Sequence, residues 1–217
     1  MSTGHPGTPA AGGADASARW FEEALARTRV VGVFRGLDVP ATLEACATAW
    51  DAGVEVVEVT VQRPDALPSL RAAVAAGAER GLAVGAGTVT TAAQVADVAD
   101  AGAAFTVAPG LAEEVVAACA ARDLPHLPGV ATATEVTRAV ALGCTWLKAF
   151  PASQLGPGWV RAQHGPFPDV RFVATGGVDA GSAPDFLRAG CRAVGLGSTL
   201  GDPEQLALLR DVVRRRA

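Results

Sequence analysis

The segment TATEVTRAVALGCTWLKAFP, residues 132–151, contains one complete unit of the pattern that decides the fold. Its first half has the apolar spacing of a helix over residues 132–142, and Gly143 ends that helix. The apolar run Thr145–Ala149 follows as a short strand. A helix that ends on glycine just before a strand is typical of the repeated βα units of a parallel sheet.

Units of the same kind recur from Val30 onward, with glycine again between helix and strand at Gly53, Gly102 and Gly190. The pattern predicts eight strands, over residues 30–34, 54–61, 83–86, 104–107, 126–127, 145–149, 171–174 and 193–196. It also predicts helices over residues 40–52, 66–80, 91–102, 112–121, 132–142, 157–164, 180–189 and 203–216, preceded by one near 16–28.

Eight βα units in one chain predict an α/β fold, a TIM (β/α)₈ barrel that forms a single domain over residues 16–217 with an extra N-terminal helix. A doubly wound sheet is the alternative, but Gly85-Ala86-Gly87-Thr88 lacks the third glycine of its nucleotide-binding fingerprint. Residues 1–15, composed of Gly, Ala, Ser, Thr and Pro with few other residues, are predicted to be a disordered tail and not a signal peptide.

The composition excludes several classes of function. The net charge of −4 and the pI near 5.4 offer no basic stripe for nucleic acid. No stretch of about 18 residues is continuously apolar, which argues against a membrane span. The four cysteines show no C-x-x-C spacing, and no two of the three histidines are spaced as ligands on one element. The sequence therefore predicts a cytoplasmic protein with small buried thiols and no metal site.

The chain contains one lysine, Lys148, against seventeen arginines, and this lysine lies between Leu147 and Ala149 in the apolar run. Arginine would serve a role that needs only charge, whereas only lysine provides an amine nucleophile. Apolar neighbours lower the pKa of an amine from about 10.4 towards the roughly 7 to 8 used in Schiff-base chemistry. Lys148 is therefore a candidate for covalent binding of a carbonyl substrate. The alternative is a lysine at a strand end whose ammonium group remains in water.

Barrel geometry places active sites at the C-terminal ends of the strands. Because strand side chains alternate between two faces, Glu58 and Thr60 share a face of the second predicted strand, and Lys148 faces the same way as Trp146 on the sixth. Arg35 and Thr88 end the first and third strands. An arginine, a glutamate, a threonine and a lysine are thus predicted to converge. For Glu58 the alternative is an internal ion pair with Lys148 or Arg35.

Two glycine-rich loops follow the seventh and eighth strands, at Gly176-Gly177 and at Gly197-Ser198. Loops at these positions form the usual phosphate site of such barrels, because their backbone N–H groups can approach the ligand. The alternative is that both are simple turns in which glycine supplies positive φ. The pairing of the two loops favours a phosphate site.

Seven motifs in order resemble the KDPG/KHG aldolase family, which cleaves 2-keto-3-deoxy-6-phosphogluconate and related 2-keto-4-hydroxy acids such as 4-hydroxy-2-oxoglutarate. The motifs are Val57-Glu58-Val59-Thr60, Gly85-Ala86-Gly87-Thr88-Val89, Ala108-Pro109-Gly110-Leu111, Leu127-Pro128-Gly129-Val130, Leu147-Lys148-Ala149-Phe150-Pro151-Ala152, Thr175-Gly176-Gly177 and Gly195-Leu196-Gly197-Ser198. The resemblance implies a class I aldolase that needs no cofactor, takes a phosphorylated keto acid, forms pyruvate and glyceraldehyde 3-phosphate, and assembles as a trimer.

The resemblance also implies roles for individual residues. Lys148 would form the Schiff base, and Glu58 would be the general acid/base acting through a water molecule. Thr88 and an arginine would bind the carboxylate, and Phe150 and Pro109 would line the pocket. The phosphate would be bound by Gly176, Gly177, Gly197 and Ser198.

Two positions depart from the gluconate-type pattern. Gln62 stands where those members carry an arginine, which assigns carboxylate binding to Arg35, and Ser153 stands where many carry glutamate. The segments Phe34-Arg35-Gly36 and Gln62-Arg63-Pro64 look more like the 6-phosphogalactonate branch. Two other functions remain open from the sequence. They are a phosphate-binding isomerase or epimerase barrel that uses carboxylates, and a non-catalytic ligand-binding barrel.

Overall fold

The computed structural model describes the backbone of residues 11–197 and the side chains of residues 16–197. Ser198 and the predicted last helix, 203–216, lie outside the described residues, as do residues 1–10 of the predicted tail. The prediction of a barrel is confirmed. The described strands are β1 (Val30–Phe34), β2 (Val56–Thr60), β3 (Val84–Gly87), β4 (Thr106–Val107), β5 (His126–Leu127), β6 (Gly129–Val130), β7 (Trp146–Ala149), β8 (Arg171–Thr175) and β9 (Ala193–Leu196).

Helices follow the strands in the predicted alternation. They are α1 (Ala11–Ala24), α2 (Val39–Asp51), α3 (Leu67–Glu79), α4 (Ala92–Asp100), α5 (Glu113–Ala120), α6 (Ala133–Ala141), α7 (Ala152–His164) and α8 (Ala183–Arg188), with a 3₁₀ turn at Pro64–Ala66. The glycines that close α2, α4, α6 and α8 all have positive φ, between 82° at Gly143 and 108° at Gly190. This left-handed conformation is the reason that glycine stands at these ends.

All strand pairs are parallel, in the order β5-β4-β3-β2-β1-β9-β8-β7-β6. The two ends of this order, β5 and β6, are consecutive in the chain and separated only by Pro128. β5 coincides with the fifth predicted strand, residues 126–127, and β6 is an additional short strand that was not predicted. Proline has no N–H to donate to the ladder, so Pro128 separates the two. The carbonyl of Pro128 accepts a hydrogen bond from the Lys148 N–H at 2.9 Å, and this segment closes the barrel beside the lysine.

Two predicted helices differ in position from the structure. Helix α1 spans Ala11–Ala24 where the sequence predicted one near 16–28, so it begins within the predicted tail and ends earlier than predicted. Alanine has the highest helix propensity, which the composition argument for disorder underweights. Helix α7 begins at Ala152 and not at 157, because a short helical segment precedes Gly156, whose φ of 74° makes a kink before Pro157.

The barrel has separate inner and outer cores. The outer core lies between strands and helices, while the inner core joins strand side chains such as Val56 and Trp146 to Phe21 and Leu25 of α1. Helix α1 is further held by Glu22, which accepts hydrogen bonds from arginines at the N-terminal ends of β8 and β9. Helix α1 therefore covers the N-terminal end of the barrel, and the opposite end remains for ligands.

Candidate active site

A cavity of ≈ 570 Å³ opens where β1, β7, β8 and β9 end. It contains six of the residues that the sequence predicts for the site. These are Arg35, Lys148, Phe150, Gly176, Gly177 and Gly197. The C-terminal ends of the strands thus bring together the predicted nucleophile and both predicted glycine loops.

Lys148 points into the barrel and is only 4% exposed. Burial lowers the pKa of its amine, the positive charge of Arg35 lowers it further, and the carboxylate of Glu58 opposes the shift. The Nζ atom lies 4.7 Å from the centroid of the Phe150 ring. The alternative of an ammonium group in water is therefore wrong, because the side chain is enclosed.

Glu58 lies on the inner face of β2, is 2% exposed and does not border the cavity. Burial raises the pKa of its carboxyl group, although the charges of Lys148 and Arg35 act in the opposite direction. A β-carbon added at Gly87 would lie 2.7 Å from Oε1 of Glu58, so only glycine at this position of β3 leaves room for the carboxyl group. The barrel interior is shaped around this acid.

The pKa shifts of Lys148 and Glu58 both favour the neutral form of the group, the free amine and the protonated carboxyl group. In a simple ion pair the attraction between the charges would raise the pKa of the lysine and lower that of the glutamate. At Lys148 and Glu58 burial outweighs this attraction in both groups. A neutral amine can attack a carbonyl carbon, and a protonated carboxyl group can donate a proton to the oxygen that leaves.

Arg35 lies in the cavity immediately after β1, close enough for its charge to affect both Lys148 and Glu58. Arg63 lies elsewhere: it forms an exposed ion pair with Asp65 beside a separate cavity of ≈ 330 Å³. Of these two arginines, only Arg35 is placed to bind a carboxylate of a ligand at Lys148.

Thr88 and Pro109 do not border the cavity. Thr88 directly follows β3 with a φ of 61°, a left-handed conformation that strains a β-branched residue by about 1–3 kcal/mol. Pro109 packs closely against Gly129, which is the register partner of Lys148. A β-carbon added at Gly129 would lie only 2.2 Å from the carbonyl oxygen of Pro109. Both residues are thus near the ends of strands that surround the lysine.

The two glycine loops border the cavity as predicted, except that Ser198 is not among the residues that the structure describes. Gly176 and Gly177 have φ values of 90° and 71°. A β-carbon at Gly176 would lie 2.7 Å from the Phe150 ring, and one at Gly177 would lie 2.4 Å from Oγ of Ser153. Glycine is therefore required both by the backbone conformation and by the close approach of neighbours.

Sequence reasoning named Thr60 and Thr175 but assigned neither of them a role in the site. Thr175 lies at the end of β8 and borders the cavity, and Thr60 lies on the inner face of β2 beyond Glu58. Both hydroxyl groups are buried, and neither has a hydrogen-bond partner among the side chains and backbone that the structure describes. The alternation of side chains along each strand could have identified them, since Thr60 shares the face of Glu58.

Among the described residues, no group of three or more His, Cys, Asp or Glu could hold a metal ion. All four cysteines are free, and Cys46, Cys119 and Cys191 are buried whereas Cys144 is partly exposed. No helix between residues 11 and 197 is long and apolar enough to cross a membrane.

An enclosed lysine of lowered pKa and a glutamate of raised pKa, near the C-terminal end of a (β/α)₈ barrel, suit a Schiff base with a keto acid, which is the chemistry of class I aldolases. The model of the KDPG and KHG aldolase family matches residues 21–212. The chain belongs to this family.

Individual relatives agree with this assignment. The chain is 35% identical over 189 residues to the probable 2-dehydro-3-deoxy-6-phosphogalactonate aldolase of Rhizobium meliloti, with 87% of each chain covered. It is 36% identical over 160 residues to the 2-dehydro-3-deoxy-phosphogluconate aldolase of Pseudomonas aeruginosa, covering 73% of this chain and 70% of the relative.

A solved structure resembles the fold. It is the KDPG aldolase of Legionella pneumophila, in which pyruvate was captured as a covalent carbinolamine intermediate. The TM-score is 0.74 at 28% identity, and the alignment covers 88% of this chain and 94% of that chain.

Proposed function

We propose that the protein cleaves a 2-keto-3-deoxy-6-phospho sugar acid of the gluconate or galactonate type to pyruvate and glyceraldehyde 3-phosphate. The observation that carries the proposal is the enclosure of Lys148, the single lysine of the chain, in the cavity at the barrel mouth. Family membership favours this reaction over isomerisation or epimerisation and over binding without turnover.

The reaction begins when the neutral amine of Lys148 attacks the C2 keto carbon. One proton of the attacking amine passes to the keto oxygen and gives the carbinolamine hydroxyl group, to which Glu58 donates a second proton through a water molecule. Water then leaves, and an iminium remains. The electron pair of the C3–C4 bond moves into the iminium as the carboxylate of Glu58 accepts the C4 hydroxyl proton. Glyceraldehyde 3-phosphate is released. Glu58 then returns the proton to C3 of the enamine, and hydrolysis of the imine yields pyruvate and restores Lys148.

We assign the substrate carboxylate to Arg35. Its guanidinium group is always charged and can bind a carboxylate through two hydrogen bonds. Thr88 supplies a hydroxyl group from the strained end of β3, and this strain supports a functional role for the residue. Pro109 and Phe150 enclose the keto acid, with Phe150 beside the amine of Lys148.

We assign the phosphate group to the loops after β8 and β9, through Gly176, Gly177, Gly197 and Ser198. The position of the first three around the cavity supports this assignment, since consecutive backbone N–H groups form anion sites. Asp179 also borders the cavity, but its carboxylate accepts hydrogen bonds from the N–H and hydroxyl groups of Ser182.

The direct test of the proposed reaction is pyruvate release, measured with lactate dehydrogenase and NADH. The substrates are both C4 epimers of 2-keto-3-deoxy-6-phospho-hexonate, their unphosphorylated counterparts and 4-hydroxy-2-oxoglutarate. We expect the phosphorylated acids to be cleaved with the higher kcat/KM, and the ratio between epimers gives the configuration that the enzyme prefers. Absence of pyruvate release from all of these acids would reject the proposed reaction.

We also propose that the protein is a cytoplasmic homotrimer, as the family resemblance implies. The free thiols of the four cysteines support a reducing compartment. Light scattering of the purified protein measures the number of chains, and a mass other than three chains would reject the trimer.

A further inference from the structure

Thr60 is the next residue after Glu58 on the inner face of β2, one step closer to the barrel mouth. Its side chain is 1% exposed, and its hydroxyl group has no hydrogen-bond partner among residues 16–197. Leaving a buried hydroxyl group unpaired costs about 1–3 kcal/mol, so a hydroxyl group at this place calls for a partner that is not part of the protein.

The side chains of Thr60 and Glu58 border the same small volume above β3. A β-carbon added at Gly87 would lie 2.7 Å from Oε1 of Glu58 and 3.0 Å from the methyl group of Thr60. Neither of the two residues borders the cavity that contains Lys148. A water molecule can carry protons between Glu58 and a substrate on Lys148, and Thr60 lies on the same face of β2 as Glu58, one step closer to the barrel mouth.

We infer that the hydroxyl group of Thr60 holds the water molecule through which Glu58 exchanges protons with the substrate. A hydroxyl group can donate one hydrogen bond and accept others at once, so it can fix both the position and the orientation of a water molecule. This inference rests on the proposed function. It makes Thr60 a positioning residue for proton transfer, with no part in the attack of Lys148.

The imine of pyruvate on Lys148 loses a C3 proton to the water, which passes a proton to the carboxylate of Glu58, and the electron pair of the C–H bond forms the enamine. In D₂O the acid group exchanges with solvent and returns a deuteron to C3 by the reverse path. Deuterium therefore enters the methyl group of pyruvate without cleavage of any C–C bond.

The test compares two pairs of variants in this exchange, followed by proton NMR of pyruvate. In the first pair, the parent protein and Thr60→Val both have a β-branched side chain, and only the parent has the hydroxyl group. In the second pair, Thr60→Ser and Thr60→Ala both lack the methyl branch, and only Thr60→Ser has the hydroxyl group. We expect loss of the hydroxyl group to slow exchange about 10- to 100-fold in both pairs, the effect of a displaced proton-transfer partner. The extent to which borohydride traps pyruvate on Lys148, measured after the imine has equilibrated at saturating pyruvate, should be unchanged.

Thermal unfolding separates this role from a purely structural one. Thr60→Val removes no hydrogen bond within the described part of the chain, so its melting temperature should equal or exceed that of the parent. Thr106→Val is the matched control, because the Thr106 hydroxyl is buried and lies 2.8 Å from Nδ1 of His126. This control should melt at a lower temperature and exchange pyruvate protons at the parent rate.

Two results would overturn the inference. The first is an exchange rate in Thr60→Val and Thr60→Ala equal to that of the parent. The second is an equal loss of trapping and of exchange in these variants, which would place Thr60 in imine formation. If the parent protein neither traps pyruvate nor exchanges its protons, the proposed function fails, and the inference fails with it. Trapping with normal exchange in every Thr60 variant rejects the inference alone.

Discussion

Replacement of Gly87 by alanine tests whether the barrel interior is built around the carboxyl group of Glu58. The added β-carbon would lie 2.7 Å from Oε1 of Glu58, whereas ordinary contacts begin at 3.4 Å. The backbone of Gly87 is not in the left-handed region, so alanine causes no conformational strain there. The carboxyl group is the end of a flexible side chain, and we expect it to move by about 0.7 Å.

A displacement of about 1 Å of a catalytic group costs on the order of 10²-fold in rate, so kcat for pyruvate release should fall to that extent. Overpacking should lower the free energy of unfolding by about 1–3 kcal/mol, as measured by urea titration. Gly158→Ala is the matched control, because the nearest atom to its added β-carbon is 3.9 Å away. An unchanged kcat in Gly87→Ala would refute the hypothesis that the absence of a side chain at Gly87 keeps the carboxyl group of Glu58 in its catalytic position.

Three further substitutions test separate parts of the account. Lys148→Arg keeps the charge and removes the nucleophile, so turnover should vanish while cooperative unfolding persists, and retention of more than a few per cent of activity would contradict the Schiff base. Gly197→Asp places a carboxylate at the phosphate loop, and it should raise KM for phosphorylated acids far more than Gly197→Asn does, whereas an equal effect of both would mean that the loop is only a turn. Burial lowers the pKa of His126 from 6.5 to about 4, so its contribution to stability is present above pH 6.5 and is lost as the pH falls towards 4. Between pH 7 and 4 the free energy of unfolding should therefore fall by about 3 kcal/mol more in the parent than in His126→Asn, and identical pH dependences would contradict this assignment.

The sequence predicted the barrel because each unit repeats the same physical signals. Helices with an apolar face end on glycines such as Gly143 and Gly190, and short apolar strands follow. Strand β6 after Pro128 was not predicted, since a two-residue strand gives almost no alternation to read. The start of α1 was wrong because composition alone does not separate an alanine-rich helix from a tail.

The candidate site was predicted where chemistry and strand position coincide. Lys148 is singular in the sequence, and Glu58 lies on a strand whose alternation assigns it to the inner face. The buried hydroxyl groups of Thr60 and Thr175 were missed because threonine is common on strands. Their significance depends on the absence of a hydrogen-bond partner among the described residues, which follows from three-dimensional packing and from no local pattern.

The central claim is that Lys148 forms an imine with pyruvate, and reduction of that imine tests it most directly. Lys148 is the only lysine, so apart from the amino terminus no amine in the chain competes for pyruvate. After incubation with pyruvate and borohydride, mass spectrometry of an arginine-specific digest should find one reduced pyruvyl adduct in the peptide Ala139–Arg161. Acetate in place of pyruvate should leave this peptide unmodified. An enzyme inactivated by pyruvate and borohydride whose Ala139–Arg161 peptide is unmodified would contradict the mechanism.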